Sequence, residues 1–239
     1  MKKVDIIIPV HNRWDHTIQT LESLLANTDG KLFNLYIVND KSDPEVGHNL
    51  AKFVASANLD FVHLQSNSEN IGPGASRNKI TRMITEQGGR SKYLYHSDND
   101  VYFQRGWLET LIVLYEEKGH EIKVIGGGCH PYLQTSERFQ SNVVWGYAIG
   151  KKDAVSGYSQ FMSWDVWDKY GPFDESMRNA ERKIMGSEDW AFCQKIVKDG
   201  FMVGSIEPEL VIATGKTNTY GDLATGHETF KQSEGVQII

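Results

Sequence analysis

The stretch Val4–Val10, with the sequence VDIIIPV, is an almost unbroken run of apolar and mostly β-branched residues. Such a run is typical of a strand that is buried on both faces of a parallel sheet. Residues 17–26 follow it and carry apolar side chains every three or four positions, which is the spacing of one face of a helix. The start of the chain therefore predicts a strand and then a helix that packs against the sheet.

The same alternation continues along the chain. Further strands are predicted at residues 32–40, 59–65 and 92–100, and further helices at 48–56, 74–89 and 106–118. In the less regular second half we predict strands at 122–128, 143–150 and 201–208, and helices at 162–171 and 187–200. This order predicts an α/β fold, a Rossmann-like single domain with a central, mostly parallel sheet that is flanked by helices.

Composition and charge indicate the general class of protein and its expected location. The chain has 239 residues, of which 40% are hydrophobic, and a formal net charge of −6, which indicates a globular protein without a general positive coat for nucleic acid. Residues 77–105 are a local exception, with six Lys and Arg residues close together. Cys129 and Cys193 lie far apart and are predicted to be free thiols. No stretch approaches the roughly 18 apolar residues of a membrane span, and no signal-peptide cleavage site follows the first strand, so we expect a soluble, cytoplasmic protein.

Three predicted strands run directly into polar residues: HN at 11–12, ND at 39–40 and DND at 98–100. In open α/β sheets, ligands bind where the carboxyl ends of the strands converge. Turns also favour Asn and Asp, so each pair alone is weak evidence. The three together predict a ligand site at this edge of the sheet.

The loop NIGPGASRN, residues 70–78, is a second indication of a ligand. Free N–H groups at a helix N-terminus bind anions such as phosphate, and Arg77 can add a bidentate contact. A dinucleotide-binding fold would carry its glycines after the first strand rather than the third, which argues against a dehydrogenase. Asp98 and Asp100 opposite a bound diphosphate would form a site for Mg²⁺ or Mn²⁺.

The order of six short motifs resembles that of the family 2 glycosyltransferases, which have the GT-A fold. The motifs are VDIIIPVHNR, IVNDKS, NIGPGASRN, HSDNDVYF, GPFDE and GSEDWAF, and the resemblance covers roughly residues 4–207. It implies an enzyme that moves a sugar from a nucleotide diphosphate donor to an acceptor hydroxyl. It also implies one domain over 1–239, with a nucleotide-sugar half at 1–105, an acceptor and catalytic half at 106–214, and a tail or flexible lid at 215–239.

The resemblance further implies a metal site and a pair of catalytic acids. HSDNDVYF corresponds to the family's DxD motif, in which Asp100 is expected to bind Mn²⁺ or Mg²⁺ directly, and Asp98 to assist it or lie nearer the ribose or sugar. GSEDWAF corresponds to the xED motif, in which Asp189 is expected to be the general base and Glu188 a contact of the acceptor or sugar. A single carboxylate base implies inversion at the anomeric carbon, with retention as the open alternative.

A histidine beyond the xED helix binds the metal in many enzymes of the fold. Here that histidine is His227 in TGHETF, with His130 and His96 as alternatives. If His227 is a ligand, the segment before it is expected to close over the donor.

Donor contacts are also carried over from the family. Asp40 is expected to bond the base, which favours UDP, although the family often has Asp-Asp where this chain has Asn39 and Asp40. The full set of expected donor-nucleotide residues is Pro9, Val10, His11, Asn12, Arg13, Asp40, Asn70, Gly72, Arg77, Asp98 and Asn99.

The acceptor is the least constrained part of the prediction. Trp164 and Trp167 lie three residues apart on a predicted helix, share a face, and are expected to contact the acceptor. A glycan or glycolipid is the expected acceptor, and a modified DNA base is the alternative that residues 77–105 suggest. Two further classes stay open: a non-catalytic nucleotide- or sugar-binding domain, and a nucleotidylyltransferase, although PVHNRWDH lacks the glycine-rich segment of the latter.

Overall fold

The computed structural model describes residues 3–129, 133–144, 146–176 and 188–215. Its first half alternates strands and helices as predicted. The elements are β1 (Val4–Val10), α1 (Trp14–Asn27), β2 (Phe33–Asn39), α2 (Pro44–Ala57), β3 (Val62–Ser66), α3 (Pro73–Glu86) and β4 (Tyr93–Ser97).

The second half of the described chain contains more strands than the sequence predicts. The elements are β5 (Val101–Phe103), α4 (Trp107–Lys118), β6 (Ile122–Gly126), β7 (Glu137–Gln140), β8 (Ala148–Lys152), β9 (Ser159–Ser163), α5 (Trp164–Tyr170), α6 (Glu188–Lys198), β10 (Met202–Glu207) and β11 (Val211–Ala213). The strand predicted at 143–150 begins only at Ala148. Strands β5, β7, β9 and β11 were not predicted, because they are three to five residues long and give too few positions for an alternating pattern to be recognised.

One nine-stranded sheet forms the centre of the fold, in the order β3-β2-β1-β4-β9-β6-β10-β8-β7. The pairs between β3, β2, β1 and β4 are parallel, and so is the pair of β6 and β10. Strand β9 runs antiparallel to both β4 and β6, and β8 runs antiparallel to its two neighbours. Since all other strands point one way, the predicted mostly parallel α/β sheet is confirmed.

Helices cover both faces of the sheet, which explains why every residue of β1 is buried. On one face, Leu21 of α1, Leu50 of α2 and Leu111 of α4 pack in a common cluster. On the other, Ile80 of α3 and Phe192 of α6 join a second cluster with the aromatic residues of α5. Parallel strands with helices on both sides leave their carboxyl ends as the edge at which loops meet.

A small second sheet lies at that edge. Strand β11 pairs antiparallel with β5, so that Ala213 lies opposite Val101. The backbone N–H of Thr214 donates to the carbonyl oxygen of Asp100 at 2.7 Å. This pairing brings the chain after β11 directly to the DxD motif.

Both cysteines are buried and are not joined in a disulfide, as predicted. Among the described residues, no helix is long and apolar enough to cross a membrane.

Candidate active site

The DxD motif forms the turn between β4 and β5, and each of its acids pairs with an arginine. Nη1 of Arg13 lies 2.8 Å from Oδ2 of Asp100, and Nη2 of Arg77 lies 2.5 Å from Oδ1 of Asp98. Unpaired carboxylates at a strand end would repel each other and lose solvation. The two guanidinium groups therefore hold this acidic turn together.

The residues between β1 and α1 join this turn to the end of β2. Asn12 and Arg13 both have positive φ, 59° and 57°, an uncommon conformation for side chains other than glycine. The backbone N–H of Asn12 donates to Oγ of Ser42 at 3.0 Å, and Nδ1 of His11 lies 3.0 Å from the backbone carbonyl oxygen of Asp40. Loops after neighbouring strands thus form one connected structure.

Asn99 extends the connection from the DxD turn back to α1. Its Nδ2 donates to Oγ1 of Thr17 at 2.8 Å. This side chain therefore fixes the turn between Asp98 and Asp100 against the first helix. The side chains of Pro9 and Val10, in contrast, are buried within β1. The loop therefore begins at His11, and a donor contact of Pro9 or Val10 stays a prediction.

Arg77 is buried rather than directed at a ligand, since 1% of its surface is exposed. Its Nη2 donates to the carbonyl oxygens of Ser97 at 2.9 Å and Gly157 at 3.1 Å, in addition to Asp98. The predicted direct contact with phosphate does not fit this burial. Arg77 instead links the end of β4 to the chain before β9.

Asp40 is also buried, with 2% of its surface exposed. Its Oδ1 accepts from Nδ2 of Asn67 and from the amide of Ile71, each at 2.9 Å, and its Oδ2 accepts from the amide of Gly72 at 2.7 Å. The amides of Ile71 and Gly72 belong to the loop before α3 that the sequence assigned to a phosphate. In this conformation the carboxylate of Asp40 accepts from them, and the contacts of the loop with phosphate and of Asp40 with a base stay predictions.

The loop before α3 depends on glycine at one position. Gly72 has φ of 87°, which other residues rarely adopt. Its amide, which donates to Asp40, also donates to Oδ1 of Asn70 at 3.1 Å. Both predicted residues of this loop therefore shape the entry into α3.

Asp189 and Glu188 form the first turn of α6. Oδ2 of Asp189 accepts from the amide of Gly157 at 2.7 Å, and Oδ1 accepts from the amide of Trp190 at 2.8 Å. The carbonyl of the same Gly157 accepts from Arg77. One glycine residue thereby joins the predicted base to the arginine that holds Asp98. No motif in the sequence marked Gly157.

Glu188 packs against the start of α3. A Cβ atom added at Gly74 would lie 3.0 Å from Cγ of Glu188, so a larger residue there would require the side chain of Glu188 to shift. Burial and the nearby Asp189 raise the pKa of Glu188, and Arg77 opposes the shift. The two catalytic candidates therefore share one electrostatic environment.

The acids of the site influence one another. Burial raises the pKa of Asp98 to about 6, with contributions from Asp100 and Asp189, against the opposing effect of Arg77. The carboxyl group is surrounded by protein, although 41% of the side-chain surface stays accessible. A carboxylate of this kind is stabilised by any additional positive charge that approaches it.

The donor atoms fit a hard divalent cation that binds together with a diphosphate. Among the described residues, no group of three or more His, Cys, Asp or Glu side chains is placed to hold a metal on its own. Mg²⁺ and Mn²⁺ at nucleotide sites are commonly held by one or two carboxylates and the phosphates, which Asp98 and Asp100 can supply. His227 and His130 lie outside the described residues.

His96 and the two predicted acceptor tryptophans belong to the core. His96 is fully buried, with ring-centroid distances of 4.9 Å to Trp167 and 5.2 Å to Phe173, so a metal-binding role for it is wrong. Trp164 and Trp167 are 5% and 6% exposed. Nε1 of Trp164 donates to Oδ2 of Asp5 at 3.2 Å. Their shared face packs against the sheet, because α5 follows β9 without a loop, and the predicted acceptor contact is therefore wrong.

Residues 5–165 match the model of the family described as glycosyl transferase family 2. An uncharacterized glycosyltransferase of Rickettsia bellii is 30% identical over 115 residues, which are 48% of this chain and 15% of that protein. A glucosyl-dolichyl phosphate glucuronosyltransferase of Haloferax volcanii is 25% identical over 207 residues, covering 81% of this chain and 63% of that protein. The chain thus spans only part of the length of these curated relatives.

Among solved structures, the fold is similar to that of a mannosyltransferase from Pyrobaculum calidifontis in complex with GDP-Man and Mn²⁺. The TM-score is 0.64 at 13% sequence identity, and the match covers 92% of this chain and 58% of that one. At this identity the likeness shows the fold.

Proposed function

The chain belongs to glycosyl transferase family 2, and from this premise we propose that it transfers a sugar from a nucleotide diphosphate donor to an acceptor hydroxyl. Asp100, assisted by Asp98, would hold Mn²⁺ or Mg²⁺ together with the diphosphate, and Asp189 would be the base. One observation carries the proposal. The Arg77–Gly157 contact links the DxD turn to Asp189, because Arg77 donates to Asp98 and to the carbonyl of Gly157, and the amide of Gly157 donates to Asp189.

Each group has a defined task in this reaction. The bound cation would supply electrostatic stabilisation of the departing diphosphate. Asp189 would take the proton of the acceptor hydroxyl while the new bond from acceptor oxygen to the anomeric carbon forms and the bond to the diphosphate breaks. The amide of Gly157 holds one oxygen of Asp189 in place, which limits the orientations of the base. A single base on the acceptor side favours inversion, and Glu188 stays our candidate for a sugar or acceptor contact.

The nucleotide base is the next point to decide. Our preference for UDP rests on the family resemblance at Asp40 alone, because in this conformation the carboxylate is buried and accepts three hydrogen bonds from the protein. The mannosyltransferase of similar fold is bound to GDP-Man. Both nucleotides therefore belong in the first experiment.

That experiment is thermal unfolding with UDP, GDP, CDP and dTDP, each with Mn²⁺ or with EDTA. Wild type is compared with Asp100→Asn. A ligand at 100 times its dissociation constant adds about 2.7 kcal/mol to stability, a shift of a few degrees at this size. We expect a Mn²⁺-dependent shift for one diphosphate in the wild type and its loss in Asp100→Asn. No shift with any nucleotide would overturn the proposal.

A glycan or glycolipid is the acceptor that we propose. The relative from Haloferax volcanii is named for a lipid-linked sugar, which supports this class. The basic residues that suggested DNA are largely paired: Arg82 with Glu175, Arg90 with Asp168 and Lys92 with Glu116. A neutralised strip gives no continuous surface for a phosphate backbone. Activity on a glycan acceptor that is insensitive to added salt would agree with this choice.

A further inference from the structure

We propose that Arg13 is an exchangeable counterion of the donor site. It neutralises Asp100 in the metal-free protein, gives up this carboxylate when a divalent cation binds, and then pairs with the diphosphate. The inference rests on the proposed function and assigns to Arg13 a positioning role in it.

The two arginines of the site are held very differently. In the described part of the chain, the Arg13 guanidinium donates one hydrogen bond, at 2.8 Å to Asp100, and 17% of its side chain is exposed. Arg77 donates three and is almost fully buried. Release of Arg13 therefore breaks one contact near solvent, whereas release of Arg77 would leave a buried charge without partners. Arg13 is the arginine that can move.

The charges of the site call for a further cation. Asp98, Asp100, Glu188 and Asp189 are four carboxyl groups, and Arg13 and Arg77 supply two positive charges, so the formal charges of these six side chains sum to −2. A divalent cation on Asp100 balances this charge. It also repels the guanidinium that lies against the same carboxylate oxygen. Metal and Arg13 thus compete for one ligand.

The displaced guanidinium then needs a new anion. A diphosphate that shares its cation with Asp100 lies next to the position that Arg13 leaves, and guanidinium groups bind phosphate oxygens through two parallel hydrogen bonds. The backbone conformation of Arg13 agrees with a role at the donor site. Arg13 keeps a left-handed conformation, φ 57° and ψ 51°, which directs its side chain from the end of β1 to the DxD turn. Strained backbone of this kind persists where the surrounding structure requires it.

Gly215 lies close to both partners of the Arg13–Asp100 ion pair. A Cβ atom added there would lie 2.0 Å from Oδ2 of Asp100 and 2.9 Å from Nη2 of Arg13. The backbone at Gly215 therefore lies directly against the ion pair, and a larger residue there would have to displace the carboxylate of Asp100.

The test measures Mn²⁺ binding from the electron paramagnetic resonance signal of free Mn²⁺, first without nucleotide and then with UDP or GDP. Arg13→Gln removes the charge at a similar side-chain length. Arg90→Gln is the matched control, because Arg90 also pairs with an aspartate, at 2.7 Å, but on α5. Asp100→Asn reports on the metal site itself, and thermal unfolding of each variant checks that it folds.

We expect Arg13→Gln to bind Mn²⁺ alone about tenfold more tightly than wild type, since one charged hydrogen bond no longer competes. With saturating Mn²⁺ it should bind the diphosphate about tenfold more weakly. Arg13→Lys, which keeps the charge, should have affinities for Mn²⁺ and for the diphosphate between those of wild type and Arg13→Gln. Arg90→Gln should match wild type in both affinities.

Two results would overturn the inference, and they differ in their meaning. If Arg13→Gln binds Mn²⁺ no more tightly than wild type while Asp100→Asn binds it far less, Arg13 is not exchanged, and the proposed function survives. If wild type and every variant fail to bind Mn²⁺ with either nucleotide, the exchange and the metal-dependent function fail together.

Discussion

Arg77 shows how one buried charge can organise a site that it does not line. Its guanidinium contacts the carbonyl oxygens of Ser97 and Gly157 and the carboxylate of Asp98, and is shielded from solvent. A buried cation is tolerated only when its partners satisfy it. The contacts that stabilise Arg77 are therefore the same ones that place the two acidic segments beside each other.

Arg77→Met should lower the free energy of unfolding by about 3–5 kcal/mol, because it leaves Asp98 and two carbonyl groups without their partner. Denaturant unfolding measures the loss. The control is Arg90→Met, which breaks an exposed pair with Asp168 and should cost about 1 kcal/mol or less. Equal losses in the two variants would contradict the structural role assigned to Arg77.

The carboxylate of Asp189 is expected to matter for the reaction rather than for the fold. Asp189→Asn keeps one oxygen that can accept from Gly157, at the loss of the contact with the amide of Trp190, and nucleotide-dependent thermal shifts should persist. The rate of diphosphate release with acceptor present should fall about 10²–10⁴-fold, the usual contribution of a general base. The control is Asp199→Asn, just beyond the other end of α6, where the carboxylate pairs with Lys169. A variant at Asp189 that keeps its rate would exclude it as the base.

At the scale of elements, the start of α3 illustrates how a protein can fill its own anion site. The N-terminus of a helix attracts negative charge, and the carboxylate of Asp40 accepts the amides of Ile71 and Gly72 there. Glu188 lies against Gly74 in the first turn of the same helix. Strand β2, helix α3 and helix α6 are thus joined through side-chain carboxylates.

Asp40→Asn should lower the free energy of unfolding by about 1–3 kcal/mol, because an amide nitrogen would face one of the donors that the carboxylate now accepts. Asp43→Asn provides the comparison. Asp43 precedes α2, is exposed, and makes no side-chain cap hydrogen bond, so its change should stay within about 0.5 kcal/mol. The result would be contradicted by a stable Asp40→Asn protein whose only defect is weaker nucleotide binding, since that would return Asp40 to the base contact.

At the scale of the whole molecule, the core on the α3, α5 and α6 face contains an ionisable group. His96 is fully buried in β4, and burial together with the nearby Arg77 lowers its pKa well below the ordinary value, while Gln160 opposes the shift. The folded state therefore keeps this ring neutral. The unfolded chain takes up the proton below about pH 6.5.

The stability of the protein should accordingly fall as the pH drops below about 6.5, since the unfolded state then binds the extra proton. Asp98 has the opposite effect on stability. Because its pKa is raised to about 6 in the folded state, the folded protein takes up this proton at a higher pH than the unfolded chain, and protonation of Asp98 below about pH 6 favours folding. The contribution of His96 is isolated by comparing wild type with His96→Leu. Between pH 7 and 5.5, wild type should lose about 1 kcal/mol more than the variant, as measured by denaturant unfolding. Parallel pH curves would contradict this account.

Local pattern was sufficient for the regular half of the fold. The apolar run of β1 and the helical spacing that follows it report burial directly, because side chains repeat every two residues in a strand and every 3.6 in a helix. Strand β9 was not predicted because it passes into α5 without a turn, and its residues, SQFMS, include no β-branched side chain. The prediction that Trp164 and Trp167 contact an acceptor had a different cause. Their spacing predicts that they share one face of a helix, but it does not predict whether that face packs in the core or lies at the surface.

The sequence by itself determined the α/β class, the motif order and the identity of the acidic residues, since these depend on near neighbours along the chain. Only the tertiary structure decided their partners. Arg13 lies 87 residues from Asp100, and Gly157 lies 80 residues from Arg77 and 32 from Asp189. Such pairs form because the strand order brings distant loops to one edge of the sheet, and strand order depends on the packing of the whole chain rather than on any local period.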